Sequence, residues 1–141
     1  MDINSLDRFL VAQEHMYETA LKEIKKGKKK THWMWYIFPQ LRGLGRSHMA
    51  YAYGINGLEE AKAYLAHPVL SARLIEITKA LLTHKDKDIY DIMGDIDAMK
   101  LRSSMTLFAL ISEDTSVFHK AIDCFYEGEM DEITLKEISK I

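Results

Sequence analysis

The chain has 141 residues, of which 48% are hydrophobic and 28% charged, a balance typical of one globular domain with a single core. Its 19 basic and 21 acidic side chains leave a net charge of −2. This argues against general binding to nucleic acid or to a membrane, which depends on excess positive charge. Cys124 is the one cysteine, and the sequence shows no signal peptide and no apolar run of membrane length. We therefore expect one cytoplasmic domain over residues 1–141.

The first predicted element is an amphipathic helix that begins after Ser5, a preferred N-cap residue, and ends at Gly27. Its apolar side chains recur at steps of three and four residues, and Gln13 interrupts them. The lysine-rich run 25–30 places cations at the helix C-terminus, where they suit the helix dipole. A phosphate-binding patch is the alternative interpretation of this run.

The aromatic run 33–38 is too short and too irregular to assign as helix or strand, and Pro39 ends it. Residues 40–46 are predicted as a loop. Ser47 can cap a short helix over 48–53, which Gly54 stops. Asn56 with Glu59 is close to a capping box for a helix that runs to about residue 66.

The second half of the chain predicts five further helices. Pro68 suits a first helical position, so a helix opens at the boundary formed by His67 and Pro68 and runs to about residue 83. A short helix over 89–93 stops at Gly94, and the next, from residue 95 or 97, becomes apolar all round at 105–111, which indicates burial. Asp114 is predicted to open the helix over 117–126, and a capping box of Thr134 with Glu137 opens the last. We predict an all-α fold of about seven or eight helices around a buried helix near residues 97–112.

The loop between the aromatic run and the short helix carries the strongest local signal for a ligand. Glycines can turn several N–H groups towards one point, and two guanidiniums are available for an oxyanion. We predict ligand contacts from Gln40, Arg42, Gly43, Gly45, Arg46 and Ser47. A purely structural turn is the alternative.

Two further groups extend this predicted site. Trp33 and Trp35 could form a stacking wall for an aromatic ligand, and core packing is the alternative for at least one of them. Lys100, Ser103 and Ser104 share one helix face, which could line a pocket. Hydrogen bonds to helix carbonyls are the alternative explanation of the two hydroxyls.

Asp7 is the candidate general base, although a carboxylate in the first turn also complements the helix dipole. No two of the six histidines lie three or four residues apart, and there is no cysteine pair. We therefore predict neither a metal nor a cofactor.

Several of these segments together resemble a known family. They are the tryptophan-containing run 33–40, the glycine-containing loop 43–47, residues 53–55, the segment 64–74 and the run 100–108. In register over nearly the whole chain, they are similar to the bacterial family catalogued as domain of unknown function 1810, some of whose members carry the label calpastatin. The resemblance implies a small, mostly helical single domain and no established activity.

Residues 6–13 are also similar to the helix signature of the NAD and ADP-ribose associated domain, a family that includes ADP-ribosyl glycohydrolases. That family has glutamate where this chain has Asp7 and histidine where it has Arg8, while Ala12 and Gln13 match its alanine-glutamine pair. Its C-terminal tryptophan-glycine signature has no counterpart here.

Two functional hypotheses follow. In the first, the protein binds an anionic small molecule of phosphorylated nucleotide or ADP-ribose type, and Asp7 activates water to hydrolyse an N-glycosidic bond. In the second, it is a non-catalytic interaction or structural module, with the tryptophans in the core and the loop as a turn.

Overall fold

The computed structural model of the chain describes residues 2–140 and places nine helices in them. They are α1 (Asp7–Lys25), α2 (Met34–Ile37), α3 (His48–Ala52), α4 (Gly57–Ala66), α5 (Pro68–Leu82), α6 (Ile89–Met93), α7 (Asp95–Ala109), α8 (Val117–Tyr126) and α9 (Glu132–Ser139). The all-α prediction is confirmed. The helix beyond the predicted number is α2, a single turn inside the aromatic run that periodicity could not assign.

Most predicted helix boundaries are correct, because the signals that begin and end a helix lie in residues close together in the sequence. The Oγ of Ser47 accepts the amide of Ala50 at 3.0 Å and caps α3, as predicted. His67 caps α5, since its Nδ1 accepts the amide of Val69 at 3.2 Å. Each of these contacts spans two or three residues, so the sequence pattern alone reveals it.

Three predicted caps lie at the wrong residue, and a fourth, Asn56, is the N-cap of α4 but makes no capping hydrogen bond. The N-cap of α1 is Leu6 rather than Ser5, and the N-cap of α8 is Ser116 rather than Asp114. Helix α9 begins before Thr134, whose amide is capped by the carboxylate of Asp131. The side chain of Asn56 makes no cap, because Glu60 instead accepts the Asn56 amide at 2.9 Å and is held by an arginine of α1.

Helix α7 is the buried element predicted near residues 97–112, but it ends at Ala109, and Leu110 is exposed and Ile111 only half-buried. From Ser103 to Ala109 every side chain is buried, as are Ala98 and Leu101. It packs against α4, α6, α8 and α9. The turn before α9 is tied to it, because the Asp131 amide donates to Thr106 Oγ1 at 2.9 Å and Arg102 Nε donates to the Glu129 carbonyl at 2.7 Å.

Helix α1 packs against α5 and α2, and its polar interruption has a structural role. Gln13 is buried, and its Nε2 donates to the Tyr36 carbonyl at 2.8 Å and to the Tyr64 hydroxyl at 3.0 Å. The aromatic run is thereby fixed against α1 and α4.

Between α2 and α4 the chain folds back on itself through one bridge. The Arg42 amide donates to the Ile55 carbonyl at 2.9 Å, and the Ile55 amide donates to the Gln40 carbonyl at 2.8 Å. In residues 2–140 this bridge is the only strand-like pairing. No helix of that range is long and apolar enough to cross a membrane.

Candidate functional site

Arg42 lies in the predicted loop, but its guanidinium holds the protein together. Nε donates to the Tyr51 carbonyl at 3.0 Å, Nη1 donates to Asn4 Oδ1 at 2.9 Å, and Nη2 donates to the carbonyl of Ile3. The group also lies 5.1 Å from the centre of the Tyr51 ring. These contacts engage three of its five N–H donors, so Arg42 tethers the N-terminal segment to the loop.

The other residues of the loop have a turn, an exposed side chain and a helix cap as their observed roles. Gly43 has φ of +102° and lies in open space, so it serves a turn. Arg46 is exposed, and its side chain forms no hydrogen bond or ion pair within residues 2–140. Ser47 caps a helix of only five residues. None of Arg42, Gly43, Arg46 and Ser47 lines the cavities described below.

Gly45 has a packing role. A Cβ built on it would lie 2.5 Å from the Cβ of Ala50, and it would lie 3.4 Å from Nε2 of Gln40. The absent side chain lets the loop lie against α3. The absence of a side chain at Gly45 also leaves room beside the side-chain amide of Gln40, which makes no hydrogen bond to any residue of 2–140.

The two tryptophans have different surroundings. Trp33 is fully buried, its Nε1 donates to Glu23 Oε1 at 3.0 Å, and Lys29 Nζ lies 4.7 Å from the centre of its ring. A side chain without accessible surface cannot contact a ligand, so Trp33 belongs to the core. Trp35 is only partly buried, and its Nε1 has no hydrogen-bond partner in the described part of the chain.

The carboxylate of Glu23 accepts several hydrogen bonds from the segment that leads into the aromatic run. Burial raises the pKa of its carboxyl, but the hydrogen bonds it accepts outweigh this effect and bring the pKa down to about 2. The donors are the Thr31 hydroxyl, the Lys30 and Thr31 amides and the Trp33 indole. Glu23 therefore remains ionised and helps to fix the approach to α2.

Trp35 and Lys100, two of the candidate ligand contacts, lie close together. The ammonium of Lys100 is 5.6 Å from the centre of the Trp35 ring. Both residues line a small internal cavity of about 10 Å³, as does Gln40. That volume is about the room that one water molecule needs.

Lys100 and Gln40 also line a larger adjoining cleft of about 340 Å³. Helix α7 contributes one wall, the loop 40–45 a second and the start of α9 a third. The lining side chains are Gln40, Leu44, Gly45, Ile96, Met99, Lys100, Ser103, Asp131 and Ile133. This volume falls within the range of small-molecule sites.

The cleft carries one cation and one carboxylate. Within residues 2–140, Lys100 forms no ion pair and donates no hydrogen bond. Asp131 uses one oxygen, Oδ2, to accept from the Thr134 amide at 2.9 Å and from its hydroxyl at 2.6 Å. The other oxygen takes no donor from the described residues, so the cleft offers a donor ammonium and an acceptor carboxylate to an occupant.

The two serines of α7 differ. Ser103 lines the cleft, and its hydroxyl donates to the Met99 carbonyl at 3.3 Å. Ser104 is fully buried, and its Oγ has no partner among the residues described. Ser103 can therefore contact an occupant of the cleft, while Ser104 lies behind it in the core.

Asp7 lies elsewhere. It is exposed in the first turn of α1 and lines a separate depression of about 150 Å³ with Asp2, Ser5, Arg8 and Val11. The structure does not place it with Trp35 or Lys100.

Sequence reasoning missed five residues of the cleft, namely Ile96, Met99, Leu44, Asp131 and Ile133. The first two could have been found, because apolar residues three apart share a helix face with Lys100 and Ser103. Asp131 and Ile133 reach the cleft only through the packing of α9 on α7. In residues 2–140 no cluster of histidine, cysteine, aspartate or glutamate is arranged to hold a metal ion.

Comparison with known proteins gives a fold match and a family match. The family model described as "Protein of unknown function (DUF1810)" matches residues 3–138. The crystal structure of the conserved hypothetical protein Rv1873 from Mycobacterium tuberculosis is similar at 42% sequence identity, with a TM-score of 0.94. The match covers 98% of this chain and 99% of that one. A search of curated proteins found no significant match.

Proposed function

The chain belongs to the DUF1810 family of proteins of unknown function, and we propose that it binds a small anionic molecule in the cleft formed by α7, the loop 40–45 and the start of α9. The observation that carries this proposal is the ammonium of Lys100. It lies over the Trp35 ring and beside a cleft of about 340 Å³, with no ion-pair partner in residues 2–140. An ammonium in a concave site whose donors are not taken by a protein carboxylate can bind an anion.

The walls favour a ligand that has an apolar or planar part. Leu44, Ile96, Met99 and Ile133 supply apolar surface, and Trp35 lines the small adjoining cavity. Such side chains bind planar groups by burial and stacking.

The polar groups support a nucleotide-like ligand over a simple acid. A phosphate can accept from Lys100, and hydroxyl groups of a ribose can donate to the open oxygen of Asp131. The side-chain amide of Gln40 can donate a hydrogen bond to the same molecule or accept one from it. We therefore propose a phosphorylated nucleoside, or the related ADP-ribose, as the class of ligand to test first.

This proposal contains no catalytic step. Hydrolysis of an N-glycosidic bond needs a base within hydrogen-bond reach of the attacking water. Asp7 lines a different depression, and Asp131 is fixed at the start of α9 by its bonds to Thr134. The function that the site supports is binding.

Thermal unfolding in the presence of AMP, ADP-ribose and inorganic phosphate tests the proposal. A ligand at 100 times its dissociation constant stabilises the folded state by about 2.7 kcal/mol. We expect an upward shift of Tm with AMP or ADP-ribose. Lys100→Met should raise the dissociation constant at least tenfold, because a hydrogen bond to a charged group contributes about 1.5–3 kcal/mol.

The matched control is Lys22→Met, which removes an exposed lysine of α1 that does not line the cleft. Its affinity for the ligand should equal that of the wild type. If all three compounds leave Tm unchanged, or if both lysine variants weaken binding equally, the proposed site is wrong.

A second function, as a non-catalytic interaction module, is favoured by the apolar rim of the same cleft. Ile96, Met99 and Ile133 are 72%, 65% and 60% exposed, and apolar side chains grouped on a surface mark contact sites. Under this hypothesis the protein associates through the rim. Sedimentation equilibrium should then show self-association that Ile133→Asp abolishes while AMP has no effect.

A further inference from the structure

A second groove, lined by α4, α5, α8 and the connection between α7 and α8, has about 450 Å³ of open volume. None of its lining residues belongs to the cleft beside Lys100. Its lining residues are Leu65, Ser71, Ile75, Lys79, Leu82, Ser112, Thr115, Ser116, Val117, Phe118 and Lys120.

The groove has an apolar floor that the fold leaves partly open. Ile75 and Leu82 lie on one face of α5, and Val117 faces them from the first turn of α8. Each of these side chains is only half-buried, as is Leu65, although all of them pack against the core. A molecule with an aliphatic part would remove this surface from water, at a gain of about 25 cal/mol per Å².

The charge of the groove has one sign. Its lining contains Lys79 and Lys120 and no carboxylate. Neither lysine forms an ion pair within residues 2–140. Both are exposed, so their aliphatic stems can lie along the apolar wall while the ammonium groups remain at its edge.

The hydroxyl groups of the groove are largely engaged as donors to the protein. Ser71 donates to the His67 carbonyl and Ser112 to the Phe108 carbonyl, both at 2.7 Å. The Ser116 hydroxyl pairs with Nδ1 of His119 at 2.8 Å. Because these three hydroxyl groups are engaged by the protein, the two lysines are the main donors available to an occupant.

We propose that this groove is a second binding site, for an amphipathic molecule with a carboxylate head and an aliphatic tail. The lysines bind the carboxylate, and Ile75, Leu82 and Val117 cover the tail. The proposal is independent of the function assigned to the Lys100 cleft, because the two sites share no residue.

Titration of the protein with decanoate, below the concentration at which it forms micelles, tests this site. We expect saturable binding in calorimetry and chemical-shift changes at the amides of residues 115–120. Lys79→Met together with Lys120→Met keeps the apolar stems and removes the charges. This double variant should bind decanoate at least tenfold more weakly and should bind decanol as the wild type does.

The control is the double variant Lys22→Met with Lys62→Met, two exposed lysines outside the groove, which should bind decanoate with wild-type affinity. Four results would each overturn the proposal. They are the absence of saturable binding, equal weakening in both double variants, equal affinity for decyltrimethylammonium and decanoate, and shifts confined to residues 96–100, which would place decanoate in the Lys100 cleft.

Discussion

The guanidinium of Arg8 in α1 and the carboxylate of Glu60 in α4 form a two-point ion pair inside the protein. Nη2 lies 2.7 Å from Oε1 and Nη1 lies 3.0 Å from Oε2, with the side chains 0% and 9% exposed. Arg8 also donates to the carbonyls of Ala52 and Gly54, each at 2.9 Å. One arginine therefore holds the end of α3 and the following turn against α1.

Glu60→Gln should destabilise the protein by about 3–5 kcal/mol, because it leaves the buried charge of Arg8 uncompensated. Urea unfolding at pH 7 measures this. The double variant Arg8→Met with Glu60→Met removes both charges. It should therefore lose less stability than the sum of the losses in Arg8→Met alone and Glu60→Met alone. If the two effects simply add, the pair is not coupled and the interpretation of this contact is wrong.

The bonds of Glu23 predict a specific pH dependence of stability. Its pKa in the folded protein is about 2, below its ordinary value, so its contribution is present above that ordinary value. The contribution is lost as the pH falls through the folded pKa, which places the loss between about pH 4.5 and pH 2.

Glu23→Gln should therefore lower the free energy of unfolding at pH 7 by about 1–2 kcal/mol, discounted because the carboxylate is partly exposed. The difference from the wild type should shrink on acidification towards pH 2. Denaturant unfolding at several pH values measures it. The control is Glu14→Gln, which changes an exposed glutamate of the same helix and should alter the free energy of unfolding at pH 7 by no more than about 0.5 kcal/mol.

Substitution of Trp33 should mainly lower the stability of the protein, whereas substitution of Trp35 should mainly weaken ligand binding. Trp33→Ala removes a fully buried side chain and its hydrogen bond to Glu23, so a loss of about 3–5 kcal/mol is expected. Trp35→Ala should cost less, because Trp35 is partly exposed and its Nε1 has no partner in residues 2–140. It should also weaken the AMP-dependent rise in Tm. A larger loss of stability in Trp35→Ala than in Trp33→Ala would contradict the assignment.

Gly45 and Ala50 provide a complementary test of the loop beside the cleft. Gly45→Ala introduces a Cβ 2.5 Å from that of Ala50, so overpacking should cost about 1–3 kcal/mol. Adding Ala50→Gly removes the clash and should recover part of this loss, reduced by about 1 kcal/mol for a glycine within α3. Thermal unfolding of both variants measures the effect. No recovery in the double variant would mean that Gly45 is required for another reason.

The sequence by itself determined most helices of this protein. Apolar spacing predicted α1, α5 and α7, Pro68 marked the start of α5, and Ser47 and His67 were recognisable caps. These signals work because a helix and its caps are formed by contacts between residues two to four apart. From the sequence we also selected Trp35, Gln40, Lys100 and Ser103 as candidate ligand contacts, and these residues line two neighbouring cavities.

Only the tertiary structure decided how those residues are used. The sequence could not show that Arg42 bonds to Ile3 and Asn4, that Trp33 bonds to Glu23 inside the core, or that Asp131 and Lys100 line the same cleft. A guanidinium or an indole can serve a ligand or the protein equally well, and the choice depends on which partners lie within about 3 Å. For these side chains the partners come from other elements of the fold, and the packing of the helices brings them together.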